Sequence, residues 1–512
     1  MMELLPQVYH GFATLLSVQH FAILGLSIPI PIYIVLCFVG CLIGTLVGIL
    51  PGLGPVATVS ILLPITLQFD VVGALIMLAG IYYGAQYGGS TTAILMRIPG
   101  EVTSVVSVID GHEMARQGRA GPALGIAAIG SFIAGTIGTA MIVLFSAPLM
   151  KVALMFGPAE YCALIIMGLI LAVVLASGSL VKALGMVSLG ILLSTVGLDQ
   201  ETGLSRMTFG ASSLADGIDF SVLALGLFGF TEILRNLEVS HERSMITENV
   251  SSPYPSWLDL RVSIWPILRG TFIGGALGIL PGSGGALGPF ASYAVEKRLA
   301  KEPGRFGSGA IEGLAGPESA NNAGAQTSFI PMLTLGLPPT ALMALLVGAM
   351  TIQGVVPGPQ VMTRNPELFW GLIASMWIGN LMLLVINLPL VGIWIKLLKI
   401  PYRFLYPLIL LVSAIGLYSI ANSEMAIIYG AIFGLVGYLF FKVGFEPAPL
   451  LLGFVLGSLL EENLRRALTL SSGSLFTFVE KPISAGLILV AAISLVVAVF
   501  STQKRNAVFV ED

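Results

Sequence analysis

The stretches GCLIGTLVGILPGLG at 40–54 and GTFIGGALGILPGSG at 270–284 decide how this chain folds. They share Gly40/Gly270, Ile43/Ile273, Gly44/Gly274 and Gly48/Gly278, the whole run 49–52 against 279–282, and Gly54/Gly284. Each lies in a run free of Asp, Glu, Lys and Arg, 4–69 and 270–295. Runs of this length can cross a bilayer, which takes about 20 mostly apolar residues. The Leu-Pro-Gly at the heart of each breaks the pattern, because proline removes a helix hydrogen bond and glycine loosens the backbone. Non-helical backbone at membrane depth survives only where protein or water covers it. Each half of the chain is therefore expected to carry a broken helix or re-entrant hairpin.

Outward from these stretches, charge is also absent from 71–96, 120–150, 161–181, 319–363, 368–395, 404–423 and 482–503. Of the 512 residues only 10% are charged, against 56% hydrophobic, where soluble domains carry about 25% charge. Lipid admits helices or closed barrels, and these runs lack a barrel's period-two alternation. The expectation is an all-α polytopic membrane protein with roughly ten to twelve membrane segments. Its solvent is the lipid bilayer, and nothing in a net charge of −3 points to nucleic acid. No Lys or Arg precedes Arg97, so the positive region of a cleavable signal peptide is missing and the first apolar segment is expected to stay as an anchor. Cys37, Cys41 and Cys162 all fall in apolar runs and suit packing better than metal or disulfide chemistry.

The match between halves continues. Gly84-Ala85-Gln86 recurs as Gly324-Ala325-Gln326, and Ser131 and Gly135 recur weakly as Ser375 and Gly379. This order indicates an internal duplication. Basic residues alternate between matched loops: none at 67–71 against Lys297, Arg298, Lys301 and Arg305; then Arg97, Arg116 and Arg119 against Arg364; then Lys151 against Lys396, Lys399 and Arg403. With positive loops cytoplasmic, matched loops fall on opposite faces, the sign of an inverted-topology repeat. Arg465, Arg466 and Lys481 depart from that scheme. The expected division is an N-terminal apolar segment (1–27), a first transmembrane repeat (28–237), a polar inter-repeat loop (238–262), a second repeat (263–480) and a C-terminal helix and tail (481–512).

Two polar segments interrupt the apolar background: YYGAQYGGSTTA at 82–93 and GPESANNAGAQTS at 316–328. Buried amides and hydroxyls cost about 1–3 kcal/mol each when nothing bonds them, so such density calls for a ligand or for hydrogen bonds between helices. Hydroxyls, N–H groups and half-helix amino ends suit a carboxylate, and side-chain oxygens with freed carbonyls suit a hard monovalent cation. The expected substrate-binding residues are Gly88, Gly89, Ser90, Thr91, Thr92, Ser319, Asn321, Asn322, Gln326 and Thr327. Those for a cation are Gly52, Gly54, Gln86, Gly282, Ser283, Glu318 and Ser328. Glu318, the one ionisable group inside the polar segments, could hold a cation, carry a proton or cap a helix beginning near Pro317. No cofactor is expected. Sodium is the favoured coupling ion because neutral oxygens outnumber the single carboxylate, with a proton as the alternative.

Catalysis is disfavoured. Gly282-Ser283-Gly284 has no evident general base, since His10, His20, His112 and His241 all lie outside the central apolar runs, and phosphate-loop and metal-ligand spacings are absent. A channel for carboxylates is the closer rival, though no periodic ring of pore charges appears.

Together, GILPGLGPVATVSILLPIT, YYGAQYGGSTTAILMRIPGE and GPESANNAGAQTSFIPMLTLGLPPT resemble the large membrane subunit of tripartite tricarboxylate transporters, the TctA family. The first motif falls on Pro51 to Pro55, the second on Gly84 to Thr92 with Pro99 and Gly100, and the third on Pro317 to Ser328. The resemblance implies a bacterial inner-membrane secondary transporter for tricarboxylates or related organic acids. It also implies a small TctB-like membrane subunit, a periplasmic TctC-like substrate-binding protein and a cation gradient as driving force. A symporter independent of a binding protein is the alternative within the same class.

Overall fold

The structure, a computed structural model, describes residues 4–23, 26–50, 54–97, 101–176, 179–199, 201–238, 253–280, 284–397 and 402–508. Helices dominate. The first half holds α1 (Leu4–Leu15), α2 (Ile32–Ile49), α3 (Pro55–Thr66), α4 (Val71–Met96), α5 (Val105–Met114), α6 (Ala120–Ala153), α7 (Pro158–Leu175), α8 (Leu180–Ser194) and α9 (Phe220–Glu238). The second holds α10 (Trp257–Gly278), α11 (Gly284–Leu299), α12 (Ile311–Thr327), α13 (Phe329–Leu335), α14 (Ala341–Ile352) and α15 (Pro366–Asn387). It continues with α16 (Val391–Leu397), α17 (Tyr402–Ala421), α18 (Glu424–Lys442), α19 (Pro447–Leu470) and α20 (Pro482–Val508). Among the described residues seven helices are long and apolar enough to cross a membrane, and five shorter apolar helices accompany them. The chain is an all-α multi-pass membrane protein. Two short antiparallel strand pairs, Gln19–Ile23 with Leu26–Ile30 and Gly197–Leu198 with Ser205–Arg206, were not expected from the apolar runs.

The Leu-Pro-Gly stretches do interrupt the helices. α2 stops before Leu50 and α3 starts at Pro55; α10 stops at Gly278 and α11 starts at Gly284. Each pair is a hairpin. α3 returns to the starting level of α2, where Tyr33 donates to Asp70 at 2.5 Å and Asp70 caps α4 by accepting from the Gly73 N–H. In the second hairpin Glu296 near the end of α11 holds Arg269 of α10 through two hydrogen bonds, at 2.8 and 2.6 Å.

Each hairpin then lies against a polar helix in the same way. Gly40, Gly44 and Gly48 face the carbonyls of Met77, Ile81 and Ala85; Gly270, Gly274 and Gly278 face those of Gly316, Ala320 and Gly324. A methyl group on any of these glycines would stand 2.0–2.4 Å from the facing oxygen, so the backbones meet with no room for a side chain. In both pairs the contact numbers rise together, so α2 runs parallel to α4 and α10 parallel to α12. The same rule shows a register that the sequence match missed: Ala85 corresponds to Gly324, one residue away from the Gly84-Ala85-Gln86 alignment. That register brings Arg97 onto Gly336, and both have left-handed backbone, φ 58° and 72°, ending α4 and α13 respectively.

The long helices cross between halves. α6 packs on α12 and α15 on α4. Asn380 of α15 accepts from Tyr87 at 2.8 Å and donates to the Phe132 carbonyl at 2.7 Å. Cys37 and Cys41 are buried packing residues whose thiols point at the carbonyls of Ser375 and Gly379.

One expectation is corrected. α12 begins at Ile311 rather than near Pro317, which lies inside it, so Glu318 caps no helix. α10 begins at Trp257, within the expected inter-repeat loop, because Ser256 and Asp259 form a capping box there. α1 has 12 residues and lies against α15, with Phe12 stacked on Trp377.

Candidate functional site

The polar segments are uninterrupted helix. α4 runs through Gly88-Gly89, and α12 through Ser319 to Thr327. Glycine in a helix costs about 1 kcal/mol against alanine. At Gly88 close packing offsets that cost, since a methyl group would stand 2.5 Å from the Thr45 carbonyl.

α4 and α12 cross at this level, and numbers that rise along one fall along the other. Gly111 of α5 faces both Ile94 and Leu314, Ser90 meets Glu318, and the Tyr82 and Tyr83 rings meet Phe329. The two polar helices are therefore antiparallel where they meet.

Glu318 is the hub of the crossing. Its Oε1 accepts from Ser90 (2.6 Å), Asn322 Nδ2 (3.2 Å) and Ser131 (3.3 Å), and its Oε2 accepts from Ser107 (2.7 Å). Asn322 also donates to Ser131 at 2.7 Å. Four helices, α4, α5, α6 and α12, thus bind one buried carboxylate. Beside it opens a small cleft of about 20 Å³, room for one water-sized guest, lined by Tyr87, Ser90, Thr91, Ser131, Glu318 and Asn387 among others.

Other expected residues bond locally. Thr92, Ser319, Thr327 and Ser328 give their hydroxyls to carbonyls three or four residues back. The Gly89 carbonyl takes the Thr92 hydroxyl, and the Gly54 carbonyl takes Thr58. Gln326 lies against Gly138 with its Oε1 unpartnered. Gly52, Gly282 and Ser283 lie outside the described residues.

A second carboxylate was missed. Glu101, in the turn between α4 and α5, accepts from Gln86 Nε2 at 3.2 Å through Oε2, while its buried Oε1 has no partner. Thr103 and Asn321 flank it, yet Thr103 Oγ1, both Asn321 amide atoms and Gln86 Oε1 are also buried without a hydrogen bond. Among the described residues no Lys or Arg pairs with either Glu101 or Glu318. Ser107 also escaped notice, and Ser131 entered only as a weak repeat match. The Pro-Gly-Glu at 99–101 was the available signal: a carboxylate directly after a break at the end of a polar helix.

The crossing is thus a buried lattice of hydroxyls and amides around two carboxylates that no described Lys or Arg pairs with. A chain of Agrobacterium vitis described as an uncharacterized 52.8 kDa protein in the TAR-I ttuC′ 3′ region is 53% identical over 514 residues, covering 100% of both chains. A second from the same organism, described as an uncharacterized protein in the TAR-II ttuC′ 3′ region, is 56% identical over 241 residues, which is 47% of this chain and 100% of that one. No solved structure matches. The model of the tripartite tricarboxylate transporter TctA family matches residues 34–452, and the chain belongs to that family as the large membrane subunit of a tripartite tricarboxylate transporter.

Proposed function

We propose that the chain is the permease of a binding-protein-dependent secondary transporter in the bacterial inner membrane. It takes up a tricarboxylate or related organic acid by sodium symport and alternating access. A TctB-like membrane subunit and a TctC-like periplasmic protein complete the system, as the family's tripartite character implies. The observation that carries this reading is the set of buried, unpartnered amide atoms on the two polar helices: the Gln86 and Gln326 oxygens and both amide atoms of Asn321. Buried polar groups are normally bonded, and such a set is costly until a polar guest arrives. The Thr91 hydroxyl at the cleft and the Asn321 amide N–H group suit a carboxylate; the surrounding oxygens suit its co-transported cation.

The two halves are proposed to be inverted repeats. Their matched polar helices meet antiparallel, and their hairpins pack by one rule. Alternating access then follows from exchanging the conformations of two like units.

Uptake of radiolabelled carboxylate by the reconstituted three-component system tests the reading. It is expected to need both the binding protein and a sodium gradient, and to fall at least about tenfold in Thr91→Ala combined with Asn321→Ala. Uptake without the binding protein supports an independent symporter, and gradient-free flux supports a channel. Full uptake by the double variant removes this site.

A further inference from the structure

We propose that Glu101, Gln86, Thr103 and Asn321 form a binding site for one monovalent cation of the sodium class. Each of these residues carries a buried oxygen without a hydrogen bond of good geometry: Glu101 Oε1, Gln86 Oε1, Thr103 Oγ1 and Asn321 Oδ1. They come from three separate pieces of chain: α4, the turn before α5, and α12. The hydrogen bond from Gln86 to Glu101 and the flanking of that carboxylate by Thr103 and Asn321 tie them into one cluster. Gln86 is 2% exposed and Asn321 1%.

The donor chemistry selects the guest. Hard cations take oxygen ligands, and divalent ions of that class usually collect several carboxylates. Here one carboxylate stands among neutral oxygens, so a single positive charge balances it. Glu318 does not compete for this ion, because four donors already occupy its oxygens.

The matched turn of the second half sharpens the point. With Arg97 on Gly336, Glu101 falls on Thr340, which caps α14 by accepting from the Met343 N–H at 3.2 Å. Glu101 occupies the same place yet points its carboxylate toward Gln86, and the Ser104 hydroxyl instead bonds the Glu101 main chain. Only one of the two turns therefore carries an ion ligand, and the site is single. An ion here ties the turn before α5 to α4 and α12. Coupling of that ion to uptake rests on the function proposed above; its binding does not.

The test uses the full-length subunit in lipid nanodiscs, with thermal unfolding followed in sodium chloride against choline chloride at equal ionic strength and pH. Sodium is expected to raise the midpoint of the wild type in a saturable way. Glu101→Gln and Asn321→Ala should weaken the apparent sodium affinity at least about tenfold. Asp110→Asn, away from the cluster, should leave it unchanged. If Glu101→Gln yields no folded protein, Thr103→Val carries the same expectation. A wild type indifferent to sodium, or a Glu101→Gln protein with an unaltered sodium response, overturns the site. The two readings fail separately. Sodium-driven uptake that survives Glu101→Gln rejects this site and keeps symport; sodium binding that vanishes in Glu101→Gln, with uptake indifferent to sodium, keeps the site and rejects symport.

Discussion

Replacing Glu318 should loosen the centre of the molecule more than any other single polar change. In Glu318→Ala, Ser90 keeps the Gln86 carbonyl at 3.2 Å, and Asn322 keeps Ser131 and the residue 318 carbonyl. The hydroxyls of Ser107 and Ser131 lose the acceptor that each uses. Two stranded donors at about 1–3 kcal/mol each, with the space left by the side chain, give a loss of roughly 3–5 kcal/mol. Glu318→Gln keeps the volume and one acceptor oxygen but turns an amide toward hydroxyls that must rotate to accept it. Its loss should be about 1–2 kcal/mol. Denaturant titration in lipid nanodiscs should rank wild type above Gln and Gln above Ala. Removing the Ser107 hydroxyl should cost little in the Ala background and clearly more in the wild type, a coupling that a double-mutant cycle reads directly. An Ala variant as stable as the wild type, or additive Ser107 and Glu318 effects, would refute the hub.

Gly274→Ala puts a methyl group 2.0 Å from the Ala320 carbonyl, so the yield of folded protein should collapse, whereas Gly486→Ala, with open space around it, should be neutral in the same expression and melting assay. Asp110 accepts the N–H groups of Gly307, Gly309 and Ala310 at 2.8–2.9 Å, together with the Tyr293 hydroxyl. Asp110→Ala should therefore free the loop before α12 to proteolysis, while Asp110→Asn, which keeps an acceptor oxygen, should largely protect it. The Glu201 N–H and then the Arg465 guanidinium hold the Asp199 carboxyl down at about 2, below its value in an unfolded chain. Its stabilising effect is thus complete above about pH 4 and fades as the pH falls toward 2. Asp199→Asn should flatten the acid dependence of cleavage in the 195–219 loop, and an unchanged dependence would assign it to other groups.

Much of the fold could be read from charge-free runs, because lipid forces uninterrupted apolar residues into helices. The hairpin breaks could be read from Leu-Pro-Gly for the same local reason. Glu318 stood out as the one carboxylate in a polar segment. Glu101 did not, because Gln86 and Glu101 meet only after the chain has turned back, and Asn321 joins from the other half. Ser107 and Ser131 lie outside both polar segments, Ser131 as one of several hydroxyls in an apolar helix, and by sequence neither differs from a packing residue. The one-residue error in matching the halves has a physical cause. Gly84 packs against the Cys41 carbonyl and Gly324 against Gly278, so the same three letters sit at different depths of two similar interfaces. The basic Arg465 and Lys481, which broke the loop pattern, are paired with Asp199, Glu201 and Glu461, and with Glu160.

Opposed orientation of the two halves is the premise on which the transport cycle stands, and the side of the membrane at which matched loops emerge measures it. Single cysteines at the exposed Gln68 and Lys301, in a chain whose Cys37, Cys41 and Cys162 have been replaced, can be probed with a membrane-impermeant thiol reagent in intact cells and in inverted vesicles. Position 68 should react only from the periplasmic face and position 301 only from the cytoplasmic one. Labelling of both from the same face would show two halves oriented alike and leave no inverted pair to alternate.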